Sequence, residues 1–212
     1  MSKLFSPDNP IIGVLNDLTD RIILGILWLI CSIPIVTIGA SSTAYCYAYN
    51  KHFKRKEGHV TKLFFHGFVT NFKQATIVWL VMVLVLICLG ADCYFSWIAL
   101  EAQPFFGVLL VIAIAIGIFV IMWSQYVFAY IARFENDTKT AMKNALLIMQ
   151  ANFPWSVVLL FWFVLMALLF PFLMFIAASI HMAVANLIHE KVFSKYIKPE
   201  ETNAEKAAHT EN

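Results

Sequence analysis

An all-α, polytopic membrane bundle is the fold class this sequence predicts, on three observations. The 46 residues from Asn144 to His189 contain no Asp, Glu, Lys or Arg, and the 31 from Ala102 to Ala132 contain none either. Hydrophobic residues make up 61% of the 212, charged ones 13%. Helices in water need a polar face, whereas about 20 apolar helical residues suffice to cross a bilayer core of about 30 Å. Stretches this long and this apolar read as spans.

So little polar sequence remains that one integral membrane domain is expected over 1–198, with a polar, disordered tail over 199–212. Asp8, Asp17 and Asp20 stand where a signal peptide would carry positive charge, so the N-terminal segment is expected to be retained. Cys31, Cys46, Cys88 and Cys93 have no CxxC spacing and read as small buried hydrophobes rather than a disulfide or metal framework. The net charge of +2 gives no reason to expect nucleic acid.

Taken in order, 8–21 form an amphipathic segment. Ile11, Ile12, Leu15 and Leu18 oppose Asn16, Asp17, Thr19 and Asp20, a pattern suited to a membrane surface. A first span over 22–49 is interrupted by Pro34, which removes a backbone donor and predicts a kink or unwinding over 33–39. Further spans follow over 75–97 and 105–132. The last apolar run is too long for one span and breaks at Phe170-Pro171 into 154–170 and 172–189.

The basic residues orient these spans. Lys51, Lys54, Arg55, Lys56, Lys62 and Lys73 place 51–73 in the cytoplasm, as Arg133, Lys139 and Lys143 do for the next loop and Lys191, Lys195 and Lys198 for the C-terminus. The 92–103 connection has no basic residue and goes outside. Five spans in the cell membrane, N-terminus out and C-terminus in, is the simplest solution. A full reversal at Pro34 would instead give six shorter segments with both ends inside.

The chain also repeats itself at an offset of 81 residues. Ala48 falls on Ala129, Tyr49 on Tyr130, Phe53 on Phe134, Lys62 on Lys143, and Asn71-Phe72 on Asn152-Phe153. The matched Lys and Asn-Phe residues lie outside the spans, which favours a parallel duplication over 40–97 and 121–178. Each copy would be a helix end, an amphipathic cytoplasmic elbow and the next span, a form of internal symmetry common in transporters.

The run Leu27-Trp28-Leu29-Ile30-Cys31-Ser32-Ile33-Pro34-Ile35-Val36-Thr37-Ile38-Gly39-Ala40-Ser41 resembles the signature of the YesL-like bacterial membrane proteins, a domain of unknown function (624). Asn71-Phe72-Lys73-Gln74-Ala75-Thr76 resembles that family's entry to its second span, and Asn186 with Lys191-Val192-Phe193 also fits. The resemblance implies no activity and no catalytic residues. It does imply a carbohydrate-uptake context.

Candidate positions each have a plain alternative. Pro34, Thr37 and Ser41 could border a polar cavity at a broken helix; the plain reading is close helix packing through small hydroxyl residues. Gln125 is expected to bond a neighbouring helix, because an unpaired buried amide is costly. His181, Asn186 and His189 are the polar groups of the last span. An ionisable group at membrane depth is a functional hypothesis, yet His181 has no carboxylate at its depth. His52, His59 and His66 recur every seven residues, but Gly58 and Gly67 interrupt the stripe, so no metal site is expected. Lys51, Lys54, Arg55 and Lys56 could contact anionic lipid, at about 1 kcal/mol per charge, or a partner.

With no hydrolase elbow, P-loop, zinc motif or paired carboxylates at membrane depth, the reading is a non-enzymatic protein without cofactor. It would be an accessory or regulatory component linked to carbohydrate uptake, docking a transport-system partner on its cytoplasmic elbows. The alternative is a small transporter or channel with its site at the Pro34 break.

Overall fold

The computed structural model describes residues 10–101 and 103–196. Its side chains are described from Asn16 onward, apart from those at 102, 167 and 169–179. The described residues form helices and no strands: α1 (Pro10–Ser32), α2 (Ile38–Tyr49), α3 (Val60–Ala99), α4 (Phe105–Ile131), α5 (Thr138–Ala151) and α6 (Phe153–Phe193). A 3-10 turn (Ile35–Thr37) joins α1 to α2, and a π-helical segment (Asn50–Lys54) extends α2. The expected 199–212 tail lies outside the described residues.

At Pro34 the chain does not kink; it reverses. Asp20 Oδ2 lies 2.9 Å from His52 Nε2, Arg21 Nη1 donates to the Tyr49 hydroxyl at 3.4 Å, and Trp28 Nε1 donates to Ser42 Oγ at 3.1 Å. Each contact pairs an early residue with a late one, so α1 and α2 form an antiparallel hairpin. This replaces the single kinked first span with the full-reversal arrangement. Proline stops a helix without setting the angle at which the chain leaves it.

The hairpin lies against α3. Gly39 faces Ala75 and Trp79, and Gly67 faces Tyr47, so α2 and α3 run antiparallel in close contact. Nearly every residue of α2 is buried, and α1, α3, α4 and α6 all pack on it. The hairpin tip stands level with Trp79, whose indole N–H donates to the Ile35 carbonyl at 2.7 Å. From Asp20 to the tip is about 20 Å of helix, less than a bilayer core, while α3 runs on from Trp79 to Ala99.

α3 and α4 are each long and apolar enough to cross a membrane. α5 and the first part of α6 (Phe153–Met166) would be a third candidate if counted as one span, but they meet at 98°. Large apolar side chains such as Leu84, Ile87, Val111 and Phe161 are exposed along these helices, a surface suited to lipid rather than water.

α6 must also fold back. The Phe163 and His181 rings are 5.5 Å apart, and Lys191 Nζ lies 4.4 Å from the Trp155 ring. On a straight helix, 18 residues would separate the first pair by about 27 Å. These contacts bring two arms of the last apolar run side by side, with the reversal between Phe163 and His181, although Phe153–Phe193 is assigned as one helix with no break at Phe170-Pro171.

The offset-81 expectation meets a mixed outcome. Tyr49–Phe53 and Tyr130–Phe134 make equivalent ring contacts at 5.0 and 4.7 Å. Asn71 Nδ2 donates to the Gly67 carbonyl at 3.0 Å, and Asn152 Nδ2 to the Ile148 carbonyl at 2.9 Å. The elbows differ, however. α3 continues without a break through Asn71-Phe72, where an elbow was expected, while the chain turns by 98° around Asn152. Gly67 faces Tyr47 of α2 and Phe64 is fully buried, so 60–74 packs into the bundle as part of α3.

Candidate functional site

At the helix break, lipid would leave unpaired carbonyls unsatisfied, since backbone at membrane depth is tolerated only when its polar groups find partners. Here they do. The Thr37 hydroxyl sits 2.6 Å from the Cys31 carbonyl and 2.7 Å from the Pro34 carbonyl, sharing one proton between them. Ser41 Oγ donates to the Thr37 carbonyl at 2.9 Å, and Trp79 holds the Ile35 carbonyl. Pro34 itself is exposed, with Ile33 77% and Ile35 67% exposed beside it. The break is an apolar tip sealed by its own hydroxyls and one indole. Trp79, Ala75 and Phe128 close on Gly39 behind it, and neither Gln125 nor His181 hydrogen-bonds to it.

Those two residues stand elsewhere. Gln125 has neither side-chain atom hydrogen-bonded among the described residues, against the expectation of an interhelical bond. His181 lies edge-on to Phe163, and its Nδ1 is likewise without a partner.

The basic run is partly engaged. Lys51 pairs with Glu57 at 3.1 Å, and Lys54 with Glu190 at 2.9 Å. Lys56 sits exposed at a positive φ of 56° in the tight turn to α3, as does Gly58. The three histidines do not converge. His52 is held by Asp20 and the Gly58 carbonyl, and His66 packs on Tyr47 at 5.7 Å.

A different constellation lies where α2, α4 and the returning arm of α6 meet. Thr43, Cys46 and Asn50 follow one stripe of α2 and its π extension; Asn186, His189 and Phe193 follow one stripe of α6. Tyr126, Tyr130 and Arg133 come from α4 and its exit. Arg133 Nη2 donates to Asn50 Oδ1 at 3.2 Å, its Nη1 donates to the Ala129 carbonyl at 2.8 Å, and its guanidinium lies 4.9 Å from the Phe193 ring centre. Cys46 lies beside both Arg133 and Asn186. His189, 2% exposed, stands edge-on to Tyr126 at 5.1 Å within range of the Arg133 charge. Ser156 Oγ and the Tyr126 hydroxyl pair at 3.0 Å on the far side.

The cluster is rich in unmade bonds. Thr43 Oγ1, Asn50 Nδ2, Asn186 Oδ1 and both ring nitrogens of His189 have no partner among the described residues. Each such group costs about 1–3 kcal/mol if left unpaired. The sequence singles out Asn186 and His189 by their depth but marks Arg133 only as an orienting charge. The available signal was its position, first after a 31-residue uncharged run and 83 residues from Asn50.

A separate pocket of about 270 Å³ opens near α5, lined by Tyr130, Phe134, Asn144, Leu147, Ile148 and Tyr196. The Tyr130 hydroxyl anchors one wall by accepting from Asn136 at 3.0 Å and from Asn144 at 2.9 Å. α5 starts at Asp137, whose carboxylate accepts from the Thr140 backbone N–H; bonds from Thr140 hold that carboxyl below the usual carboxylate range.

These features define an all-helical protein with two or three helices fit to cross a membrane. Residues 22–93 match the model of a family described as a protein of unknown function, DUF624. Of the stretches that carry the resemblance, 27–41 and 71–76 fall inside that match, and Asn186 with Lys191-Val192-Phe193 lies outside it. No curated protein and no solved structure matches the chain.

Proposed function

We propose that this is a non-enzymatic, multi-pass component of the cell membrane that presents its basic end to a membrane transport-system partner. The observation that carries this reading is the gathering of polar segments at one end. The Asp20–His52 and Lys54–Glu190 pairs, the Arg133–Asn50 bond and the Asn152–Tyr196 bond bring five separate stretches together there. α5, turned 98° from α6, exposes Lys139, Lys143 and Leu147 at that end. Basic loops face the cytoplasm, so this end is read as cytoplasmic, with the start of α1 and the end of α6 on that side and the α3–α4 connection opposite. The α1–α2 hairpin enters from the cytoplasmic side and returns to it.

A parallel duplication over 40–97 and 121–178 fits this reading if only the second copy bent its elbow to lay α5 across the end. The carbohydrate-uptake context implied by the family resemblance makes a permease subunit the candidate partner. The sealed Pro34 break supplies no passage for a solute, which weighs against a transporter with its site there.

A photo-crosslinking residue at Lys143 or Leu147 in cells is expected to give an adduct with a transport permease subunit. The same residue at Val111, on the lipid-facing side of α4, should give lipid adducts only. Lipid adducts alone at all three positions, or solute uptake by the purified chain in liposomes, would refute the docking role.

A further inference from the structure

We propose that Asn50, Arg133, Asn186 and His189 form a binding site for an oxyanion, a phosphate or carboxylate carried by a soluble molecule or by an anionic lipid headgroup. Arg133 is half-buried between α2, α4 and α6, and among the described residues no carboxylate forms an ion pair with it. The nearby acid, Glu190, is taken up by Lys54. A guanidinium out of bulk water is costly unless an opposite charge accompanies it. Asn50 Oδ1 and the Ala129 carbonyl are dipoles that orient it without neutralising it.

The orphaned groups then give the ligand its shape. The amide of Asn50 and one imidazole nitrogen of His189 are donors without acceptors, and Arg133 retains N–H groups beyond the two it has committed. Donors around an uncompensated cation suit an oxygen-rich anion, and a planar guanidinium fork matches phosphate or carboxylate geometry. Asn186 Oδ1 and the second His189 nitrogen are acceptors and would take a hydroxyl of the same ligand. Water could satisfy the hydrogen bonds, but it would leave the charge unbalanced. The floor is closed: His189 is 2% and Asn186 1% exposed. Toward the basic end lies the Lys54–Glu190 pair, one turn beyond Asn50 on the α2 side and one turn beyond Asn186 on α6.

The test uses the full-length protein in detergent and measures thermal unfolding. Saturating inorganic phosphate, against chloride of equal ionic strength, is expected to raise Tm by about 5 °C. Asn50→Asp supplies an internal carboxylate beside Arg133; it should raise the ligand-free Tm and abolish the response. Arg133→Lys keeps the charge but not the fork, so half-saturation should need roughly tenfold more phosphate. Lys73→Gln, at an exposed position of α3 outside the site, should respond like the native chain.

If phosphate has no effect but nanodiscs of phosphatidylglycerol stabilise the native chain over phosphatidylcholine, and Asn50→Asp removes that difference, the oxyanion is a lipid headgroup. A native chain indifferent to both overturns the proposal. So does an Asn50→Asp variant that responds as the native chain does. Neither result bears on whether a permease docks at α5, so the two proposals fail separately.

Discussion

Gly39→Ala is expected to lower the stability of the protein by about 3 kcal/mol, near the upper end of the usual cost of overpacking. An alanine Cβ would sit 2.6 Å from Trp79 Cβ and 2.7 Å from the Ala75 carbonyl oxygen, with Phe128 3.0 Å away. A backbone oxygen cannot swing aside, so α2 would have to move off α3. In a helix interior the same substitution is normally favourable by up to about 1 kcal/mol, so the sign itself is informative. Gly90, also in α3, has nothing within 4 Å of its added Cβ among the described residues. Gly90→Ala should therefore leave Tm unchanged or raise it, while Gly39→Ala drops it by roughly 6–12 °C. Equal behaviour of the two variants in thermal unfolding would mean that α2 does not lie against α3 as described.

Trp79→Phe tests the seal at the hairpin tip. Phenylalanine keeps an aromatic ring against Phe128, 6.1 Å away, but loses the N–H that holds the Ile35 carbonyl. With Ile35 exposed to an apolar surround, no water replaces that donor. The expected loss is about 1–3 kcal/mol, accompanied by faster amide exchange over 33–38 and little change elsewhere. An unchanged Tm together with unchanged exchange would show that the tip carbonyl needs no partner, and hence that the tip is wet.

Much of this architecture was legible because lipid allows few solutions. The uncharged runs and Lys/Arg clusters located α3, α4 and the paired arms of α6, and the run around Pro34 located both the break and the family match. The direction of the chain after Pro34 was not legible, since reversal depends on side chains far apart in sequence: Asp20 on His52, Trp28 on Ser42, and Trp79 on Ile35. The continuity of α3 was hidden for a related reason. Lys62, His66 and Lys73 make 60–74 look like a surface segment, but its inner face, Phe64 and Gly67, is buried against Tyr47 and its neighbours.

The Arg133 cluster was only half legible. Asn186 and His189 announce themselves by depth, whereas Arg133 and Asn50 read as ordinary loop-end polarity until α2 and α4 are packed together. Gln125 shows the converse: depth predicts a bond that it does not make among the described residues.

The reversal at Pro34 sets the direction of α1 against α2. Asp20 and His52 are 32 residues apart; on one kinked but continuing helix they would be separated by about 48 Å, yet their side chains meet at 2.9 Å. The direct measurement is oxidative crosslinking of Asp20→Cys with His52→Cys, after replacing Cys31, Cys46, Cys88 and Cys93 by serine, with Asp20→Cys and Ile98→Cys as the control pair. The account predicts a disulfide in the first pair and none in the control. Failure of the first pair to crosslink, while both its cysteines react freely with a thiol reagent, would contradict it.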